Sequence, residues 1–281
     1  MDFIQSYMTS QFALLSIGYW WILGLFVAAF IAGYVDSVAG GGGTIQAPLL
    51  LLTGIPPVSV LATNKMIAII GTISATINYS ARKKVIWQTL AALALPCLVA
   101  SILGSALALT LPSWLLEVMI LIFLLMIIVS SLLSYVMNHN KASSQIIVNQ
   151  MSITSTKVDP SMRSVGTYGL IGFYDGISGP GMGLLLAKAN KSYLSLELLN
   201  AVATAKPLNL MTNTGALVVF FFAGKIIWII VVPMIVGNVI GNWFGSHMAI
   251  KNGDLFVKYM MLVSSLLLLV VSVAYNVSDY L

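Results

Sequence analysis

Long apolar runs separated by short polar breaks dominate this chain. Eight runs, at about 13–36, 57–80, 85–109, 113–137, 164–187, 197–222, 226–249 and 255–276, reach the roughly 20 residues a helix needs to cross a bilayer. The runs are continuous rather than alternating, which excludes a transmembrane barrel. Lipid offers no partner to a free backbone N–H or C=O, so the runs must be helices. The expected fold is an all-α integral membrane protein of about eight transmembrane helices. The only long polar stretch, 138-NHNKASSQIIVNQMSITSTKVDPSMRS-164, divides the chain into 12–137, a linker 138–163, and 164–276.

The two halves match. Gly33, Asp36, Gly40 and Gly42 correspond to Gly172, Asp175, Gly179 and Gly181, 62-ATNK-65 to 203-ATAK-206, 85-VIW-87 to 226-IIW-228, and 104-GS-105 to 245-GS-246. Common order and spacing of uncommon residues point to two four-helix repeats. Four spans per repeat would give both the same direction, unless a glycine run makes a re-entrant hairpin and changes the count.

Glycine is poor helix, costing about 1 kcal/mol each against alanine. The run at 40–43 should therefore break the first span, and 179-GPGMG-183 the fifth. The apolar pieces that follow, 44-TIQAPLLLL-52 and 182-MGLLLAKA-189, would begin new half-helices. Unwound backbone at membrane depth survives where it is buried in protein or lines a cavity. Free N–H groups at helix N-termini suit an anion. Gly40, Gly41, Gly42, Gly43, Gly179, Gly181 and Gly183 are accordingly candidates for substrate contact.

Asp36, Lys65, Asp175 and Lys206 lie within or beside apolar runs. On insertion scales each costs about 2.5–3.5 kcal/mol at a helix centre, so they should face the bundle interior. They read either as transport groups or as bridges pinning span 1 to span 2 and span 5 to span 6. The lysines would neutralise an anion, and the aspartates could carry coupling protons. Asn64, Ala68, Gly71, Ala75 and Asn78 form a small, polar stripe on span 2, and Lys206, Asn209 and Asn213 stack on span 6. Asn64, Asn209 and Asn213 would supply hydrogen bonds. Pro96, Ala100 and Gly104, matched by Gly237, Gly241 and Gly245, read as packing seams.

Composition sharpens the class. The 281 residues are 59% hydrophobic and 7% charged, against about 25% charged in a soluble domain. Cys97 is the only cysteine, and His139 and His247 are far apart, so no metal site or cofactor is expected. The net charge of +5 sits in loops and calls for no nucleic acid. Arg82, Lys83 and Lys84 follow span 2, and Lys141, Lys157 and Arg163 lie in the linker. The positive-inside rule then puts both termini and the linker in the cytoplasm, although Lys188, Lys191, Lys251 and Lys258 fall on the wrong side of that scheme. The oligomeric state is open between monomer and homodimer.

In combination, GYVDSVAGGGG, 54-GIPPVSVLATNK-65, GFYDGISGPGMG and 200-NAVATAKPLNLMTN-213 resemble the TauE/SafE family of membrane transporters, in its YfcA-like branch. The resemblance runs from about 20 to 275. It implies an inner-membrane permease for small anions such as sulfite, sulfoacetate or thiosulfate. The expected mechanism is secondary transport by alternating access between the repeats, since no nucleotide-binding motif is present. An anion channel would share the glycines and lysines. The two aspartates also invite comparison with an intramembrane aspartyl protease, but the Gly-x-Gly-Asp and Pro-Ala-Leu signatures are missing.

Overall fold

The computed structural model describes residues 19–120, 122 and 161–278. The fourth expected span beyond its first turns, and the linker up to 160, lie outside them. In order come α1 (Tyr19–Ala39), α2 (Gly42–Leu51), α3 (Pro57–Ala81), a 3-10 turn (Trp87–Thr89), α4 (Leu90–Thr110) and α5, whose described part covers 113–120. Then follow α6 (Met162–Ile177), α7 (Met182–Tyr193), α8 (Leu198–Phe222) and α9 (Trp228–Ser278), the last interrupted at the non-helical Gly253. No strand occurs among the described residues.

Four described stretches are long and apolar enough to cross a membrane: Trp21–Ala39, Pro57–Ala81, Trp87–Thr110 and Trp228–Ser264. The chain is thus a multi-pass membrane protein. α8 is as long as α3 and, like it, buries polar side chains: Lys206, Asn209, Thr212 and Asn213 on α8, Asn64, Lys65 and Asn78 on α3. Outward faces are apolar, as in the row Leu95, Val99 and Leu103 on α4.

The glycine breaks occur where expected, but they reverse the chain. A continuous helix would rise about 15 Å between residues 32 and 42. Instead, a Cβ added at Gly42 would lie 2.8 Å from the Ala32 carbonyl oxygen. α2 therefore runs back along α1, with Gly40 in the left-handed region (φ 76°) at the turn. α7 returns along α6 in the same way: Tyr168 donates to Asn190 Oδ1 (2.6 Å), and Thr167 and Tyr193 share a hydrogen bond.

Helix directions follow from contacts. Added Cβ atoms at Gly237, Gly241 and Gly245 would overlap the carbonyl oxygens of Phe26, Phe30 and Tyr34. The two series rise together, so α1 and α9 are parallel. Gly172 meets Cys97 and Gly176 meets Ser101, so α6 and α4 are parallel. Ser74 donates to the Val239 carbonyl and Asn78 to Ser246, so α3 and α9 are parallel too. α3 and α8 are antiparallel. Thr63, near the start of α3, accepts the N–H of Ile227 beyond the end of α8 (3.1 Å). Thr204, near the start of α8, accepts the N–H of Ile86 beyond the end of α3 (3.2 Å). The matched segments thus point opposite ways, which corrects the common direction that a four-span count implied.

The reversal also resolves the charge conflict. Arg82, Lys83 and Lys84 at the end of α3, Arg163 at the start of α6, Lys191 at the end of α7 and Lys251 near the Gly253 bend all lie at one face. Asp254 joins them, its carboxylate accepting the N–H groups of Leu198 and Leu199 at the start of α8. Lys225 and the start of α1 lie at the other face, since α1 runs parallel to α3. The N-terminal end of α1 and the Arg82 loop therefore lie on opposite sides, where the charge count had put them on one.

The expected seams hold helices together, but across the halves. α9 packs on α1, and α4 packs on α6 through Cys97, Ser101 and Gly104 rather than through Pro96 and Ala100. The stripe on span 2 divides. Asn64 and Ala68 line an internal cavity, whereas Gly71 fits against Asn238 and Asn78 bonds Ser246 (2.8 Å), so its lower part is helix contact.

Gly241→Ala should therefore lower thermal stability in detergent by about 1–3 kcal/mol, as overpacking does. Gly24→Ala, with nothing within 4 Å of the new Cβ, should be neutral or gain up to about 1 kcal/mol of helix propensity. Thermal unfolding of the two variants checks the seam.

Candidate functional site

The two hairpins meet tip to tip. Gly40 and Gly183 touch so closely that a Cβ on either would overlap the backbone of the other. Glycine is required at both for this approach. Around the contact lie the four buried charges, and each pair joins the two halves. Lys65 Nζ lies 2.6 Å from Asp175 Oδ1, with side chains 2% and 1% exposed. Lys206 Nζ lies 2.9 Å from Asp36 Oδ2 and also donates to the Asp36 carbonyl. The alternative of bridges pinning span 1 to span 2 and span 5 to span 6 is therefore corrected: each hairpin's aspartate pairs with the lysine of the opposite half. The reason is the inversion, which brings the end of α6 beside the start of α3 and the end of α1 beside the start of α8.

Both pairs sit at equivalent depths. Lys206 is 206 − 198 = 8 residues into α8 and Lys65 is 65 − 57 = 8 residues into α3. Each lysine thus lies about 12 Å from the start of its helix, at a rise of ~1.5 Å per residue.

A small cavity lies between the hairpins. It contains about 20 Å³ open to the centre of a water molecule, room for about one water. A guest of several heavy atoms would require the walls to part. Gly40, Gly42 and Gly43 line it from the first hairpin; Gly179, Gly181 and Gly183 line it from the second. Asn64 and Lys65 of α3, Asn209 and Asn213 of α8, and both aspartates complete the expected set. Two expected residues do not line it. Gly41 faces Thr44 and Ser264 instead, and Lys206 is engaged with Asp36 at the cavity's margin.

Sequence reasoning missed Gln46, Met182 and Asn238 as lining residues. Gln46 is 1% exposed and Asn238 2%, and polar groups at such burial inside apolar runs were the available signal. Asn238 was overlooked because its glycine neighbour Gly237 marked a packing seam. Three side-chain atoms on lining residues lack a hydrogen-bond partner: Gln46 Nε2, Asn64 Oδ1 and Asp175 Oδ2. Orphaned buried polar atoms each cost about 1–3 kcal/mol, and a water in the cavity is within the range of partners that could meet them.

The N-terminus of α2 is served from within. Gly42 donates its N–H to Asp36 Oδ1 (3.2 Å), an anion at the positive end of a helix dipole. Each aspartate faces an ammonium group rather than the other carboxylate, unlike a proton-sharing catalytic dyad.

A sequence profile described as "Sulfite exporter TauE/SafE" matches residues 25–273. The chain belongs to the TauE/SafE family. A "Probable membrane transporter protein ORF9" from a Sinorhizobium species is 37% identical over 244 residues, covering 87% of this chain and 89% of that one. A "Probable membrane transporter protein" of Haemophilus influenzae is 30% identical over 250 residues, with 87% and 91% covered. The "Probable membrane transporter protein YfcA" of Escherichia coli K12 is 31% identical over 250 residues, with 86% and 85% covered. No solved structure matches. The hairpins, the four charges and the cavity all fall inside the TauE/SafE match, and the chain is a membrane transporter of that family.

The exchanged pairing predicts a pattern of stabilities. Lys65→Ala should cost about 3–5 kcal/mol by stranding a buried carboxylate. Adding Asp175→Ala should recover part of that loss, and adding Asp36→Ala should not. Thermal unfolding of the singles and doubles measures the coupling.

Proposed function

We propose that this protein is a secondary transporter of a small anion, working by alternating access between two inverted repeats, 12–137 and 164–276. The observation that carries this reading is the pair of re-entrant hairpins. They enter from opposite faces, touch at Gly40 and Gly183, and exchange Asp–Lys bridges around a closed polar cavity. Inverted repeats with broken helices and a central site are a recurrent plan for alternating access. Retraction of either hairpin would open the cavity to the face from which that hairpin enters. Closure of both would give the state described above.

The substrate is a sulfur oxyanion such as sulfite, thiosulfate or sulfoacetate. The family description supports sulfite, and the ammonium groups and amide donors support an anion. Lys65 neutralises it, assisted by Gln46, Asn64, Asn209 and Asn213, with Gly43 and Gly183 allowing close approach of the helix N-termini. Lys206 contributes through the Asp36 bridge.

The protein sits in the inner membrane with the Arg82 face in the cytoplasm. That face carries Arg82, Lys83, Lys84, Arg163, Lys191 and Lys251, against Lys225 opposite, as the positive-inside rule requires. The start of α1 is then external, which replaces the cytoplasmic N-terminus of the charge count.

Purified protein in detergent should be thermally stabilised by at least one anion of a panel containing sulfite, thiosulfate, sulfoacetate, sulfate and carboxylates, since a ligand selective for the folded state raises stability. The shift should vanish in Lys65→Gln. No shift with any anion would remove the substrate assignment. In intact cells, an impermeant thiol reagent should label Lys225→Cys and spare Lys84→Cys; the opposite result would invert the orientation.

A further inference from the structure

The two buried ion pairs occupy matched positions, yet their surroundings differ. Both carboxylate oxygens of Asp36 are engaged: Oδ1 accepts the Gly42 N–H and Oδ2 accepts from Lys206. Lys206 is tied a second time, to the Asp36 backbone carbonyl. Asp175 uses only Oδ1, on Lys65, and its Oδ2 is buried with no donor.

The sequence explains the difference. The first hairpin turns on 40-GGGG-43, and its helix begins at Gly42, whose N–H reaches Asp36. The second turns on 179-GPGMG-183. Pro180 has no N–H to give, and Gly181, the counterpart of Gly42, is in the left-handed region (φ 75°), so α7 begins one residue later, at Met182. Asp175 has therefore lost the capping bond that Asp36 keeps.

A second acceptor without a donor, Asn64 Oδ1, lies on the wall of the same cavity. The cavity wall thus carries two buried acceptors without a donor and one donor without an acceptor, Gln46 Nε2, and a proton on Asp175 Oδ2 would turn one of those acceptors into a donor. The titratable groups that face Asp175 are Lys65 on α3, Cys97 on α4, its neighbour Tyr174 and, across the cavity, Asp36 with Lys206. In the closed state the pairs Lys65–Asp175 and Lys206–Asp36 each sum to zero charge.

We infer that Asp175 is the proton-carrying group of this protein and Lys65 its exchangeable partner, while Asp36 and Lys206 form a fixed strut. A proton taken from solvent by Asp175 Oδ2 neutralises the carboxylate and frees the Lys65 ammonium for the anion. The cavity then holds one positive charge, which offsets one negative charge of the guest, so proton and anion move in the same direction. Loss of the proton and departure of the anion restore the Lys65–Asp175 bridge and close the site. This deepens the transporter reading and rests on it for its purpose, but the proton site can be measured without transport.

Infrared difference spectra of the purified protein between acidic and alkaline pH should contain the carbonyl band of a protonated carboxyl buried from water, resolved from the bands of the exposed acids. The band should disappear in Asp175→Asn and persist in Asp36→Asn. A band absent from the wild type, retained in Asp175→Asn or lost only in Asp36→Asn overturns the inference. Should Asp175→Asn fail to fold, Asp175→Glu keeps the carboxyl and must shift the band; an unmoved band is equally fatal. In proteoliposomes, labelled sulfite uptake by the wild type should respond to an imposed proton gradient. Asp175→Asn should lose that response, and Asp36→Asn should keep it at a reduced overall rate. A wild type that shows the band but moves no sulfite refutes the sulfite reading while sustaining the proton site. Sulfite uptake whose gradient response survives in Asp175→Asn refutes the proton site while sustaining the transporter.

Discussion

Four charges inside an apolar bundle are the constraint on which the rest depends. Each is expensive alone, and breaking a buried pair is more costly than never having it. The chain meets this by pairing Asp36 with Lys206 and Asp175 with Lys65, so neither half can satisfy its own charges. The hairpins must interlock for the protein to be stable. The requirement for stability therefore places the polar groups at the boundary between the two halves.

The glycines make that boundary possible. Gly40 and Gly183 let two backbones touch, and Gly237, Gly241 and Gly245 let α9 lie directly on α1. Membrane helices gain no hydrophobic advantage from contact, because lipid tails are as apolar as leucine. Close backbone approach therefore carries much of the association. Two apolar clusters lie on either side of the polar layer. One combines the start of α3 with the end of α8; the other combines the end of α3 with the start of α8. The polar layer is thus held between packed regions, and a hairpin can shift only by exchanging contacts within it.

Departures from symmetry carry the functional detail. An inverted pair of repeats places equivalent groups at equivalent depths, but GGGG and GPGMG are not the same turn. One proline and one left-handed glycine leave Asp175 with an unmet hydrogen-bonding capacity that Asp36 does not have. Asn64 is replaced by Ala205 at the corresponding place in 203-ATAK-206, so the amides lining the cavity are also unevenly shared.

Much of this was written in the residues themselves. Apolar run length and the scarcity of charge determined a helical membrane protein, because lipid leaves the backbone no alternative. Glycine runs marked the breaks, since glycine alone is both a poor helix former and free to take positive φ. Asp36, Lys65, Asp175, Lys206 and the asparagines could be singled out because polar groups at membrane depth must have a purpose. Direction and partnership could not be read. A glycine break is compatible with a straight continuation or a reversal, and only the contact of Gly42 with Ala32 shows the reversal. The matched Asp–Lys spacing suggested pairing within each half, because a sequence records neighbours along the chain. Pairing across the halves is a consequence of the antiparallel packing of α3 and α8, which no local pattern encodes. Tertiary structure decided which lysine each aspartate holds, and with it where the cavity lies.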